Sequence, residues 1–281
     1  MKPQKLTLFI IIVFSIIFRI ILIPSVSVHE NDIYRYLWDG KSLKNGINPY
    51  KYAPDDLGID SATGHEKQEL TRLKRLRDAN PVYFNRIGHK WVPTIYPPFA
   101  QFIFLISSAI KEDSIIIMKT IFVIFDLMAL FVIVFLLSHL KKNPSMAIVY
   151  GWSPLLLKEI PNSGHYDSVA IFLMLISIYL ILTGRVFKAG IKLALAGATK
   201  FFPIFLIPVF AKRLKLYHIM IIFLVLVILY VPFSLFQDTG ITRVFESMRI
   251  YSQEWSYNSS IFIVLRSFFR NITTEQFGEF F

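Results

Sequence analysis

Leu6–Pro24 reads LTLFIIIVFSIIFRIILIP, and Ile115–Leu137 reads IIIMKTIFVIFDLMALFVIVFLL. A helix needs about 20 mostly apolar residues to cross a hydrocarbon core roughly 30 Å thick, and both runs have that length. The first exceeds the apolar core of a cleaved signal, about 7–15 residues, so it reads as a retained span. Composition extends the same reading to the whole 281-residue chain. Hydrophobic residues make up 54% and charged residues 17%, against about a quarter charged in soluble domains. The net charge of +11 sits mostly in short breaks between apolar runs, which points to orientation in a membrane and not to nucleic acid. With no cysteine, disulfides, thiolate metal sites and cysteine nucleophiles are excluded. The fold expected is an all-α polytopic membrane bundle, one transmembrane domain over residues 1–281.

Working outward, Lys2 and Lys5 place the N-terminus in the cytoplasm. Residues 25–96 form a long extracytoplasmic loop rich in acids. Within it Asp32–Lys44 reads as a short interfacial helix ended by Gly46-Ile47-Asn48-Pro49, and Glu66–Arg77 as a basic amphipathic helix. Together they would roof a site at the lipid boundary. The later apolar runs are Pro97–Ile110, Ile115–Leu137, Ala147–Leu157, Val169–Leu182, Ile191–Phe210 and Leu216–Phe233. Basic breaks at Lys141-Lys142, at Arg185, Lys188 and Lys192, and at Lys212-Arg213-Lys215 all belong in the cytoplasm. That condition is met if Pro97–Ile110 dips in without crossing and Ile191–Phe210 is a hairpin with Thr199-Lys200 at its outer tip. Treating both as full crossings is the alternative, and it strands two basic breaks outside. The hairpin arrangement gathers Glu30/Asp32, Asn162–Asp167, Thr199-Lys200 and Arg249–Ser260 on the outer face.

Several of these clusters carry chemistry. Glu30 and Asp32 lie two apart, so in an extended segment both carboxylates face one side. One can act as a general base tuned by the other, or the pair can bind a divalent cation. The alternative is a helix cap at Asp32. Arg35, with Lys74, Arg75 and Arg77, can bind phosphate or lipid headgroups. His165 and Asp167, after Gly164, supply a hydrogen-bonding pair, while Asp167 can equally cap the next helix. A histidine metal site would draw on His29 and His165. Lys200, inside an apolar run, calls for a phosphate or an acid such as Asp126. Tyr96 and the Trp255–Asn258 stretch suit an aromatic belt, and Asn258 adds donors for a sugar or phosphate.

Taken in order, these segments resemble a known family. Asp32-Ile33-Tyr34-Arg35-Tyr36-Leu37-Trp38-Asp39-Gly40 with Gly46-Ile47-Asn48-Pro49-Tyr50 is similar to the first outer loop of bacterial glycosyltransferases of the C superfamily (GT-C), which use polyprenyl-phosphate sugars. Thr94-Ile95-Tyr96-Pro97-Pro98 with Gln101, Trp152-Ser153-Pro154, Gly164-His165-Tyr166-Asp167, Thr199-Lys200-Phe201-Phe202-Pro203 and Trp255-Ser256-Tyr257-Asn258-Ser259-Ser260 continue the match over nearly the whole chain.

The resemblance implies an inverting hexosyltransferase, mannose favoured, that moves sugar from a polyprenyl phosphate to an extracytoplasmic lipid or glycan acceptor. Asp32 matches the family's base position; where family members often carry a second, adjacent acid this chain has Asn31, with Glu30 one residue further back. Arg35 and Lys200 would meet the donor phosphate, with Tyr96, His165, Asp167 and Asn258 binding sugar or phosphate. No metal ligand is assigned and no cofactor is expected, a divalent cation being left open. The implied setting is a multi-pass protein of the bacterial cytoplasmic membrane with its site facing outward. Family members are usually longer, with further spans after the later outer loop, so this chain reads as a shortened member. The competing readings are a transporter or lipid flippase, which also needs buried charge and broken helices, and an inactive truncated paralogue.

Overall fold

The computed structural model describes residues 3–28, 30–58, 62–210, 213–235, 239–254 and 260–276. Its elements run α1 (Pro3–Leu22), α2 (Asp32–Lys44), α3 (Gly64–Ala79), α4 (Pro81–Asn85), α5 (Pro98–Ile110), α6 (Ile115–His139), α7 (Ile148–Gly151), α8 (Pro154–Leu157), α9 (Asp167–Leu182), α10 (Val186–Gly197), α11 (Leu216–Leu235), α12 (Gly240–Glu254) and α13 (Ser260–Gln276). Among the described residues, three helices are long and apolar enough to cross a membrane: Gln4–Leu22, Ile115–His139 and Leu216–Leu235. All regular structure among the described residues is helical. This is an integral membrane protein of the helical class expected.

Pro97–Ile110 forms the 13-residue α5, which at 1.5 Å per residue is about 20 Å long and too short to cross unaided. Beside it lies the first departure from the sequence reading. The sequence suggests that α2 rests on a surface, yet Ile33 to Ser42 are all buried. Its apolar residues Ile33, Tyr34, Tyr36, Leu37 and Trp38 wrap the helix instead of lining one stripe, so no face is left for solvent. α2 runs alongside α5 in the same direction. The Tyr36 ring stacks on Phe104 at 4.7 Å, and Lys41 and Lys44 pair with Asp113 and Glu112, both at 2.7 Å. Gly40 is the closest approach: a Cβ there would overlap the Phe104 carbonyl.

α9 and α10 form an antiparallel hairpin with small residues at the contact, and Ser177 Oγ donates to Ala189 O at 2.9 Å. α10 ends at Gly197, where a Cβ would sit 2.8 Å from Ile204 Cγ1. The chain then returns through 3-10 turns at Phe202–Leu206 and Pro208–Phe210, leaving Lys200 at the tip. The expected broken hairpin is therefore present, with a helical outgoing limb and a tighter return.

The buried charge of the spans also finds its partners. Arg19 and Asp126, both 0% exposed, pair at 2.5 Å. Arg19 Nη1 donates to Ser15 O and Gly151 O, and Tyr150 OH donates to Asp126 Oδ1 at 2.7 Å. Each charge is thereby offset by an opposite charge and hydrogen bonds, as apolar surroundings require, with Arg19 Nη2 left buried without a partner. Asp126 is thus claimed by α1, and the alternative partner for Lys200 falls away.

Candidate active site

A cavity of about 900 Å³ opens where the loop meets the near ends of α2, α5 and α9 and the α10 hairpin. Its wall includes Glu30, Asp32, Arg35, Tyr96, His165 and Lys200, together with Tyr36, His89, Val92, Ile95, Tyr166, Phe201, Met248 and Tyr251. Residues up to 221 positions apart in the chain, Glu30 and Tyr251, thus face one space. Asp167 stands just behind the wall, and Asn258 lies outside the described residues.

Asp32 is the first residue of α2, and the cap position belongs to Asn31, whose side chain makes no capping bond. Its carboxylate therefore faces the cavity from the first turn, where the helix dipole favours negative charge. Tyr36 OH lies 3.5 Å from Asp32 Oδ2. Burial first, then Tyr96 and Asp32, push the Tyr36 phenol well above its ordinary value, so it stays protonated and donates. Beneath it Tyr36, Tyr96, Phe104 and Tyr166 pack edge-to-face and stacked, with centroids 4.7–5.8 Å apart. That aromatic floor keeps one side of the cavity dry and fixes the start of α2.

Arg35 is held from behind. Its Nε bonds Asp39 Oδ1 at 2.8 Å and its Nη1 donates to Val92 O at 3.0 Å, while Nη2 is buried with no partner. Asp39 Oδ2 accepts from Thr94 Oγ1 at 2.5 Å and Gln101 Nε2 at 3.3 Å. The guanidinium is thus braced with one donor edge in reserve. Asp39 was not singled out from sequence, although its spacing of four from Arg35 is the helical pair spacing.

On the opposite wall Asp167 opens α9 without capping it. Its Oδ1 takes Lys200 Nζ at 2.5 Å, and the ammonium lies 5.1 Å from the Tyr166 ring centroid. His165 is flanked by carboxylates. Its Nε2 is 3.6 Å from Glu30 Oε2, and its Nδ1 is 3.5 Å from Glu159 Oε2 and 4.0 Å from Asp167 Oδ2. Lys158 Nζ lies 3.6 Å from Glu30 and 3.0 Å from Glu159. Neither Lys158 nor Glu159 was legible as a site residue, because both look like the polar end of an apolar run. Ligand atoms of Glu30, Asp32 and His165 lie within 4.8 Å of one another, close enough to hold a divalent cation. His29, the other histidine considered, lies outside the described residues. The basic residues Lys74, Arg75 and Arg77 of α3 do not line the cavity, and Arg77 pairs with its neighbour Asp78 at 2.7 Å.

Chemically, the site opposes carboxylates on one wall to an ammonium and a guanidinium edge on others, over an aromatic floor. The model of the MptA_B family, described as alpha-(1->6)-mannopyranosyltransferase, N-terminal domain, matches residues 10–214. That span takes in α1 from Ile10 onward, the whole loop, the cavity walls at Glu30, Asp32, Arg35 and His165, and the tip at Lys200. No curated protein and no solved structure matches the chain.

Proposed function

The chain belongs to the MptA_B family of alpha-(1->6)-mannopyranosyltransferases, and from that premise we propose that it transfers mannose from a polyprenyl phosphate to an extracytoplasmic lipid or glycan acceptor. The observation that carries this reading is the convergence of Asp32 and Glu30 with Lys200 and Arg35 on one cavity at the loop end of the bundle. The basic breaks Lys141-Lys142, Arg185/Lys188 and Arg213/Lys215 follow the far ends of α6 and α9 and precede α11. By the positive-inside rule those ends are cytoplasmic, so the cavity faces outward. A lipid-linked donor reaches such a cavity laterally from the bilayer.

In the proposed reaction Lys200 binds the donor phosphate, and Arg35, which also lines the cavity, adds positive charge beside it. The acceptor hydroxyl attacks the anomeric carbon as the bond from that carbon to the phosphate oxygen breaks. Its proton passes to the Asp32 carboxylate, and the polyprenyl phosphate leaves with the bonding electron pair. A positioned base of this kind contributes about 10²–10⁴-fold in rate. One displacement without a covalent intermediate inverts the anomeric centre, so an α-linked product requires a β-linked donor. Tyr96, His165, Asp167 and Asn258 would bind sugar or phosphate. Glu30 lines the same cavity as Asp32, and if a divalent cation takes part, Glu30, Asp32 and His165 would hold it and the ion would supply positive charge near the phosphate.

Membranes carrying the chain, supplied separately with β-mannosyl polyprenyl phosphate and with a nucleoside-diphosphate mannose, test the reading. Transfer is expected from the lipid donor alone. Direct transfer from the nucleotide sugar, with polyprenyl-phosphate mannose synthesis blocked, would overturn it.

A further inference from the structure

Between α1 and α2, Val26 to Val28 have no regular structure, so nothing inside that stretch sets where Glu30 and Asp32 come to rest. Its polar atoms are instead gathered by one side chain from the other wall. Asn162 is 8% exposed. Its Nδ2 donates to Ser25 Oγ at 2.7 Å and Val26 O at 2.9 Å, and its Oδ1 accepts from Val28 N at 3.2 Å. Ser27 Oγ returns to the carbonyls of Asn162 and Ser163 at 3.2 and 3.3 Å, and Lys119 Nζ donates to Ser25 O at 2.8 Å.

Asn162 is itself fixed. It closes the π turn Lys158–Asn162, after which Ser163 N bonds Lys158 O at 2.9 Å and His165 N bonds Glu159 O at 3.0 Å. The same turn therefore aims His165 into the cavity. Farther along, Gly164 adopts φ +78°, and a Cβ there would lie 2.6 Å from Ile33 Cδ1, next to Asp32. Only a carboxamide can give two donors and one acceptor from a single short side chain. Asn162 is not among the residues lining the cavity, so it touches no substrate.

We infer that Asn162 is a positioning residue, whose amide clasps residues 25–28 to the 158–165 turn and so sets the separation of Asp32 from His165 and the Lys200–Asp167 pair. The inference rests on Asp32 acting as the base, since a base misplaced by about 1 Å can lose about 10²-fold in rate while leaving most donor contacts intact. Asp at position 162 keeps the shape, loses both donors and sets a negative charge against Val26 O.

Because the chain has no cysteine, Val28→Cys and Leu155→Cys, at exposed positions, place two spin labels on the full chain in lipid nanodiscs. With Asn162 native the label distance should be narrow. In Asn162→Asp it should broaden or shift, and in the unlabelled variant kcat should fall tenfold or more with the donor KM changed less than threefold. A role in folding alone would lower the yield of protein and leave that split unmoved. If Asn162→Asp does not fold, Ser25→Ala removes one acceptor of the clasp, together with the Ser25 Oγ donation to Leu22 O at 2.5 Å, and should still broaden the distance. An unchanged distance in the folded variant, or an unchanged kcat, overturns the inference. If Asp32→Asn turns over normally while the clasp behaves as described, it is the assignment of the base that fails.

Discussion

Replacing Lys200 by Met removes the ammonium at the hairpin tip while keeping an unbranched apolar stem. Lys200 is about one-third exposed and bonded to Asp167 at 2.5 Å, so its charge is neither fully screened nor fully buried. A hydrogen bond to a charged group contributes about 1.5–3 kcal/mol net, which corresponds to roughly 10- to 150-fold in rate at 1.4 kcal/mol per tenfold. If Lys200 meets a phosphate that gains charge as it leaves, that loss falls on kcat/KM. Lys200→Met also leaves the Asp167 carboxylate unpaired beside the donor phosphate, which adds repulsion. The double variant Lys200→Met/Asp167→Asn should therefore recover part of the lost rate, and Lys200→Arg should stay within about tenfold of the native rate because it keeps the charge. The assay is initial-rate mannosyl transfer from a β-mannosyl polyprenyl phosphate at varied donor concentration, normalised to folded protein. Native kcat/KM in Lys200→Met would refute the reasoning, as would a double variant no better than the single one.

Three further outcomes follow from the same structure. Arg19→Met strands a buried carboxylate and should destabilise the protein by about 3–5 kcal/mol, whereas Arg19→Met/Asp126→Leu should regain most of it; thermal unfolding in detergent distinguishes the two. Gly164→Ala meets a positive φ and the Ile33 side chain, so it should cost about 1–3 kcal/mol and slow transfer, read by the same melt and by rate. Tyr36→Phe removes a long bond to Asp32 and the phenol's side-chain hydrogen bond with Tyr96, and should lose less than tenfold. Because burial holds the Tyr36 phenol well above its ordinary value, it does not ionise in the working range, and any alkaline limb of the rate profile should be the same in Tyr36→Phe.

The parts of this molecule that were legible from sequence are those written in local patterns. The apolar runs gave α1, α6 and α11, because a membrane-spanning helix must satisfy its own backbone and needs a continuous apolar stretch. The placement of the basic breaks favoured the arrangement that brings Asp32, His165 and Lys200 to one end with a broken hairpin around Lys200, over the alternative of two full crossings. What stayed hidden depends on which distant residues meet. The partner of Arg19 is 107 positions away, and nothing near Asp126 advertises it. α2 looked like an interfacial helix from Tyr34, Leu37 and Trp38 at helical spacing, with its charges Arg35, Asp39 and Lys41 between and beyond them. In fact they are neutralised by Asp39, Arg35 and Asp113 inside the fold. The Lys158–Asn162 turn could not be foreseen either, since its winding depends on packing against the segment that it clasps.

The most direct test of the account is the rate of Asp32→Asn with β-mannosyl polyprenyl phosphate, measured beside binding of the same donor. The account predicts a loss of about 10²–10⁴-fold in transfer with donor binding nearly native, because the phosphate is held by Lys200 and Arg35. Transfer at the native rate would contradict it.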